Sequence, residues 1–327
     1  MELAISPSTP GLSVVELADL CGFAEDLGYP QAWLAEVAGP DAFVLASAVA
    51  HRTRTMEAGV GVVPAYTRTP AGLAVAAASV SQLMGGRPFR LGIGASSGVI
   101  VEQWHGLSYT KPLTRVRDTV LAVRQALAGH GDYAGPTLKM SRFRPATSAA
   151  GPIPLFIGAL RPGMLALAGE LADGVCLNLM PPRVVVRQLA EVRRGAHAVG
   201  RQLPPDFGVM ARLQTVVTDD PAGVRDLLRN EFVGPYLAQP VYNRFLAWMG
   251  YEEEAEAIAL GWAARDRAAV AAALHDRLID DLVLVGDAGH VRTRLEEFAG
   301  SGLTVAALMV LTPSRSAVED TLRALAS

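Results

Sequence analysis

Short apolar runs and longer amphipathic segments alternate along almost the whole chain, and this alternation constrains the fold more than any other feature. Strand-length runs fall at residues 2–5, 31–35, 56–63, 89–93, 153–157, 174–179, 207–217 and 305–311. Helix-length segments stand between them at 13–27, 41–51, 70–84, 113–127, from 162, at 182–199 and at 316–325. Strands separated by helices of this length pair in parallel through right-handed crossovers. The runs are nearly continuous in Val, Leu, Ile and Ala, as expected of strands covered on both faces. Closed barrels and open doubly wound sheets both meet these rules. A strand count near eight, with no composition break to mark a linker, favours a single α/β domain over 1–327, a (β/α)8 TIM barrel.

Local signals support the boundaries. Ser13 with Glu16 three residues later forms a capping box, and Gly28 stops that helix. Asp41 caps the second helix, and Pro162 is a favourable first-turn residue for the fifth. Residues 129–151 carry several Gly and Pro and read as an irregular excursion between two strands. Residues 219–281 exceed one strand–helix unit and predict a helical insertion between strands seven and eight. Seven of the chain's 20 aromatics fall there, Tyr236, Tyr242 and Trp248 among them. A packing layer and a lid over a pocket both fit that pattern.

Composition narrows the function. Half of the 327 residues are apolar, enough to fill a large core, and the net charge is −3. Such a balance gives no footprint for nucleic acid or an anionic membrane. No run reaches membrane-spanning length, and the first residues carry no basic, apolar leader pattern. Cys21 and Cys176 are far apart and outside any CxxC, which suits a reducing cytoplasm. The histidines show no metal-ligand spacing, so no metal is expected. The expected partner is a small molecule. Lysine occurs only at Lys111 and Lys139 beside abundant Arg, Ala, Gly and Val, a composition typical of GC-rich bacterial genomes.

Three motifs close apolar runs. Arg90 to Gly98 reads RLGIGASSG, two glycines directly after strand four. A Rossmann dinucleotide loop needs GxGxxG after the first strand, an opening helix and a ribose-binding carboxylate about 20 residues on. Here the spacing is one residue longer, the strand is the fourth, residues 99–104 open no obvious helix, and the acid is missing. Second, Gly158, Ala159, Leu160, Arg161, Pro162 and Gly163 join a strand to a helix. The first-turn N–H groups and Arg161 make that turn a candidate phosphate site, with a solvated strand–helix junction as the plain alternative. Third, Gly59, Gly61 and Pro64 precede a YTRTP stretch at 66–70, and Gly61 lies at the carboxyl end of strand three, where barrel enzymes build their sites. Glu36 ends strand two on the same face, and His105 follows Trp104; either could serve as an acid or be a structural residue. No GxSxG elbow is present.

These segments resemble the luciferase-like monooxygenase family, and within it the branch that uses the deazaflavin coenzyme F420. The match runs through AEDLGY at 24–29 to Glu36, Gly59 to Pro70, Gly85 to Gly106, and Ile153 to Val175, with Val283 to Gly286 ahead of the last helices. The stretch 153–175 is most similar to methylenetetrahydromethanopterin reductases. The resemblance implies a cofactor in the carboxyl-end mouth of the barrel and a non-prolyl cis peptide at Gly61–Val62 against the ring. It implies Ser96 and Ser97 at the ring edge, Gly158, Ala159, Arg161, Pro162 and Gly163 around the phosphate, and Asn178 on the pocket wall. It gives Glu36 and His105 as candidate catalytic acids and a homodimer as the assembly. Positions that carry catalytic His, Trp and Glu in related sugar-phosphate dehydrogenases hold Val37, Asp41 and Ser97 here, which argues against that substrate. The expected activity is hydride transfer between coenzyme F420 and a small organic substrate. An FMN-dependent monooxygenase and a non-catalytic flavin-binding protein are the alternatives.

Overall fold

A computed structural model describes residues 1–312 and 314–326. Eight parallel strands close into a barrel: β1 (Glu2–Ile5), β2 (Gln31–Leu34), β3 (Glu57–Pro64), β4 (Phe89–Gly94), β5 (Leu155–Gly158), β6 (Gly174–Asn178), β7 (Gly208–Val217) and β8 (Val305–Val310). Each pairs with the next, and β8 closes on β1 with Glu2 opposite Val305. Helices cover the outside. The first, Val14–Asp26, carries the expected reciprocal Ser13–Glu16 box, and Asp41 accepts from the Phe43 and Val44 amides at the head of Ala42–Arg52. Gly28 takes a φ of +93°, the left-handed stop that glycine adopts freely.

The interior is packed by a few large side chains facing glycines. Trp33 and Phe156 meet edge-on at 5.1 Å, with Met210 and Cys176 beside them. A Cβ on Gly59 would lie 2.7 Å from Trp33, and one on Gly174 or Gly208 would lie 2.2–2.3 Å from Phe156. Large residues on some strands therefore require glycine on their neighbours, the large-and-small alternation of a filled barrel.

Three features differ from the sequence expectation. A ninth strand, Val283–Gly286, follows the insertion. The ten-residue β7 outlasts β6, which pairs with it only over Gly208–Arg212; Val283–Gly286 takes over that edge from Gln214 to Val217. Four residues beside a long helical segment carry too little pattern to be recognised as a strand. The excursion at 129–151 contains a two-stranded hairpin, Tyr133–Ala134 with Lys139–Met140, held by the buried Asp118, which accepts from Tyr133 and Thr137. Residues Val99–Trp104, expected to be irregular, form a π-helical turn of the kind frequent at functional sites.

The insertion is helical, as predicted, with Pro221–Leu228, Pro240–Trp248, Glu252–Ala263, Arg267–Ala273 and Asp276–Leu282 its longer segments. Phe245 is fully buried within it, whereas Tyr242 reaches out to Asn178 of the barrel, with Tyr236 packed beside it. No described helix is long and apolar enough to cross a membrane.

Candidate active site at the barrel mouth

The floor of the mouth is marked by a step in burial. Trp33 and Met210 are about 1 % exposed, while Gly61, Val62, Gly158, Asn178 and Arg212, one layer higher, keep partial exposure. The Gly61–Val62 peptide is cis, and the β3–β4 register shifts between Val60 and Val63. Gly61 faces Met210 and Trp33, and Val62 also turns into the barrel. A Cβ on Gly94 would stand 2.5 Å from a Val62 methyl, one on Gly92 3.0 Å, and one on Gly158 3.1 Å. The glycines of strands four and five thus make room for Val62. The result is an apolar patch on the mouth floor in which the Val62 side chain lies over the glycine backbone of strands four and five.

The walls are built from the loops that follow the strands. After β3, Tyr66 packs on Tyr109 at 5.1 Å and donates to the Thr110 carbonyl at 2.5 Å, tying that loop to the one after β4. Ser96 holds a φ of +62°, and its carbonyl accepts from the Tyr109 hydroxyl at 3.2 Å. Ser97 accepts weakly from the Ile100 amide at 3.4 Å. Both serines are partly exposed. After β5, Ala159 is buried, and Arg161 occupies the cap position ahead of the helix Pro162–Leu171 without capping it. Gly163, in the first turn, is exposed. Burial, and then the like charge of Arg244, pulls the Arg161 guanidinium below its ordinary value. No ion pair to a carboxylate forms at either arginine among the described residues, unlike Arg117 with Glu170 or Arg225 with Asp280.

The opposite wall is polar and includes a residue from the insertion. Gln214 donates to Asn178 at 2.8 Å, and Asn178 donates to the Tyr242 hydroxyl at 3.0 Å. Burial raises the Tyr242 hydroxyl well above the ordinary tyrosine value, with the Tyr236 hydroxyl adding to it, so it holds its proton at neutral pH. Opposite Asn178 in the sheet, Arg212 donates to the Gly61 carbonyl at 2.5 Å. Cys176 lies beneath, and burial drives its thiol far above its ordinary value, which removes it as a nucleophile.

The structure therefore gathers Gly61, Val62, Ser96, Ser97, Gly158, Ala159, Arg161, Pro162, Gly163 and Asn178 on the strand ends and loops of one barrel face. Glu36 lies on this face, yet both its oxygens are engaged. Arg68 donates to one at 2.8 Å and to the other at 2.6 Å, and the Ala42 amide donates to the second at 3.2 Å. The same guanidinium bonds Asp41, so the YTRTP stretch is clamped to the head of the second helix. Burial opposes ionisation of Asp41, but the hydrogen bond from Arg68 and the helix amides outweigh it and hold the carboxyl below its usual range. His105 is exposed at the end of the π-helical turn and bonds to no described residue through its ring. Sequence reasoning missed Arg212, Gln214 and Tyr242. For the first two, strand alternation from Met210 was a usable signal, since 210, 212 and 214 share the inward face. Tyr242 had none beyond the aromatic enrichment of the insertion.

A closed parallel barrel whose carboxyl-end mouth gathers glycine-backed strand ends, polar side chains and cations without carboxylate partners is the scaffold of a barrel enzyme. Residues 2–305 match the luciferase-like monooxygenase family, and the chain belongs to it. It is 30 % identical, over 93 % of its length and 92 % of the relative's, to a Mycobacterium tuberculosis protein classed as a coenzyme F420-dependent oxidoreductase. It is also 30 % identical to the 5,10-methylenetetrahydromethanopterin reductase of Archaeoglobus fulgidus, over 90 % of this chain and 89 % of that one. The coenzyme F420-dependent tetrahydromethanopterin reductase of Methanopyrus kandleri superposes with a TM-score of 0.82 at 23 % identity, covering 99 % of this chain and 97 % of that one. An F420-dependent secondary alcohol dehydrogenase superposes at 0.80 and 16 %, covering 99 % and 98 %. At those identities the superpositions show the common fold. Among the described residues no cluster of three or more His, Cys, Asp or Glu is placed to hold a metal.

Proposed function

We propose that this chain is a coenzyme F420-dependent oxidoreductase that moves a hydride between the deazaflavin and a small organic substrate. The observation that carries the proposal is the apolar floor at Gly61–Val62 together with Arg161 on the loop after β5, which has no carboxylate partner among the described residues and senses the like charge of Arg244. A tricyclic ring needs an apolar plane to lie on, and a phosphate-bearing tail needs cations without carboxylate partners. The residues fit both needs. Gly61 and Val62 would back the ring, Ser96 and Ser97 would border its edge, and Asn178 would face it from the far wall. Gly158, Ala159, Pro162 and Gly163 would offer backbone to the phosphate, with Arg161 its counter-charge. When bound, the cofactor supplies a hydride donor or acceptor; the protein supplies orientation, exclusion of water and a proton.

Three groups are candidates to hold that proton. Glu36 can act only after Arg68 releases it, which makes it first an anchor of the loop after β3. His105 is free and would have to swing in with its loop. Tyr242 is neutral, accepts from Asn178 and has the Tyr236 hydroxyl 3.5 Å away. Removing each hydroxyl, imidazole or carboxyl in turn, as Tyr242→Phe, His105→Ala and Glu36→Gln, ranks them. The acid is the one whose loss lowers kcat while leaving cofactor affinity unchanged.

Pure protein mixed with F420 and, separately, with FMN tests the proposal by fluorescence titration. Saturable F420 binding without FMN binding is expected. FMN binding alone would replace the deazaflavin reductase with a monooxygenase, because the ring's reaction with oxygen needs the flavin nitrogen that a deazaflavin lacks. F420 binding without turnover on any carbonyl, imine or alkene substrate would leave a carrier. We also propose a cytoplasmic homodimer. Val44, Val75 and Leu83 are exposed apolar side chains on the neighbouring outer helices Ala42–Arg52 and Pro70–Leu83 that a second copy would cover. Sedimentation at micromolar concentration giving a monomer mass would remove the dimer.

A further inference from the structure

We infer that Gln188, on the outer helix Pro182–Ala198, is a positioning residue for the candidate phosphate loop: it holds the Leu160–Arg161 peptide with its carbonyl turned outward, so that the N–H of that peptide is free for the cofactor's phosphate. This rests on the function proposed above and gives the loop at 158–163 a determinant outside itself.

Gln188 is fully buried, and its Nε2 donates to the Leu160 carbonyl at 3.0 Å. The Leu160–Arg161 bond is trans, Gly61–Val62 being the one cis bond among the described residues. In a trans peptide the C=O and N–H point in opposite directions. A carbonyl drawn to the outer helix therefore sends the Arg161 N–H away from that helix. Neither this amide nor that of Leu160 has a backbone partner among the described residues. The positions on either side are fixed by other means. The Ala159 amide donates to the Cys176 carbonyl on β6 at 3.0 Å. Pro162 restricts the residue before it to extended backbone, and Arg161 lies at φ −125° and ψ 165°. Between these two anchors the Leu160–Arg161 peptide takes its orientation from Gln188.

Two further observations set this contact apart from ordinary core packing. The Gln188 Oε1 is buried with no partner among the described residues. An orphaned acceptor costs stability that an apolar side chain of similar size would not lose, so the amide is poorly explained by stability alone. The helix that carries Gln188 also packs backbone to backbone on Pro162–Leu171. A Cβ on Gly169 would collide with the Val192 carbonyl, and one on Gly195 with the Ala166 carbonyl. Gln188 thus stands on a rigid base fixed to the helix that the loop leads into. A peptide released from Gln188 can turn over. Its carbonyl oxygen would then stand where the N–H stood and oppose an anion that the amide would hold.

Fluorescence titration with F420 and with its phosphate-free deazariboflavin core tests this without turnover. The native protein is expected to bind F420 more tightly than the core. Gln188→Leu should bind F420 about tenfold more weakly, the effect of losing one hydrogen bond to a charged group, and should bind the core as the native protein does. Gln188→Glu supplies a pH readout. A protonated carboxyl can donate to the Leu160 carbonyl and an ionised one cannot. Its F420 affinity should therefore fall toward that of Gln188→Leu as pH rises through the titration of that carboxyl, which burial places above the usual range, while its affinity for the core stays level. An unchanged F420 affinity in Gln188→Leu overturns the inference, and so does an equal loss for F420 and the core. A level F420 profile in Gln188→Glu, or failure of both variants to fold, also overturns it and leaves Gln188 a structural residue. A native protein that holds the core as tightly as F420 overturns it without any variant. One that binds neither overturns the proposed function as well, a result distinct from the others.

Discussion

The two ends of the barrel are lined by the same kinds of residue and treat charge in opposite ways. At the amino end, Gln31 donates to Glu2 at 2.5 Å and accepts from the Trp33 indole at 2.9 Å, and Arg90 sits 2.7 Å from Glu57. An opening of about 790 Å³ lies there, and it is lined by Gln31, paired with Glu2, by Arg90, beside Glu57, and by the Arg124–Asp173 ion pair. At the carboxyl end, Arg161, Arg212 and Arg244 have no carboxylate among the described residues, and glycines stand where side chains would otherwise fill the floor. The size of an opening is therefore a poor guide to chemistry in this molecule. Pairing is the better guide: an end whose charges are settled contributes stability, and an end whose charges are unsettled is waiting for a ligand.

Substitutions at the two ends should separate stability from binding. Trp33→Ala empties the space that Gly59 and Gly61 reserve for the indole; a loss of about 3–5 kcal/mol is expected from urea denaturation. A loss below about 1 kcal/mol would mean that the interior is not packed as described. Gly94→Ala drives a methyl into Val62 and should cost about 1–3 kcal/mol, with most of it recovered in the double variant with Val62→Ala. Additive effects of the two changes would break the link between the glycines and the valine. Arg161→Ala should leave stability within about 0.5 kcal/mol of native while weakening F420 about tenfold. An unchanged dissociation constant removes Arg161 from the site, and a large stability loss would make the mouth resemble the base.

The smallest expected effect is a pH dependence with no bearing on the mouth. Burial alone would raise Glu25, but the amides of Thr55, Arg54 and Met56 and the Thr55 hydroxyl hold it at about 2 against an ordinary value of 4.5. A depressed carboxylate stabilises the fold in full above its unfolded value and loses that contribution as pH falls toward its folded one. Stability should thus decline between about pH 4.5 and 2 through this group, and Glu25→Gln should flatten that part of the profile. Cofactor affinity measured above pH 5 should not respond to the same change.

Much of the architecture was legible along the chain. The capping box at Ser13, the Asp41 cap and Pro162 each act within one helical turn, so residues a few places apart suffice to reveal them. The eight strand runs were legible for the same reason, and so was the position of the candidate phosphate loop at 158–163. The ninth strand was hidden because Val283–Gly286 is recognisable only beside the overhanging end of β7. The glycines at 92, 94 and 158 looked like openings for a ligand; in the fold the Val62 side chain stands against all three, roughly 30 to 100 residues away in sequence, and no local pattern carries that information.

Hydrophobic periodicity and turn chemistry, which are local, determined the barrel and which face would carry a site. Compensation of charge is not local. Glu36 stood out in the sequence as a free acid at a strand end, and only the folded chain brings Arg68 across 32 positions to neutralise it. Arg212 looked like any arginine in a strand, and only the closed barrel leaves it against the Gly61 carbonyl with no carboxylate beside it. Electrostatic pairing depends on distance in space and on the water left between groups, and neither exists until the tertiary structure forms.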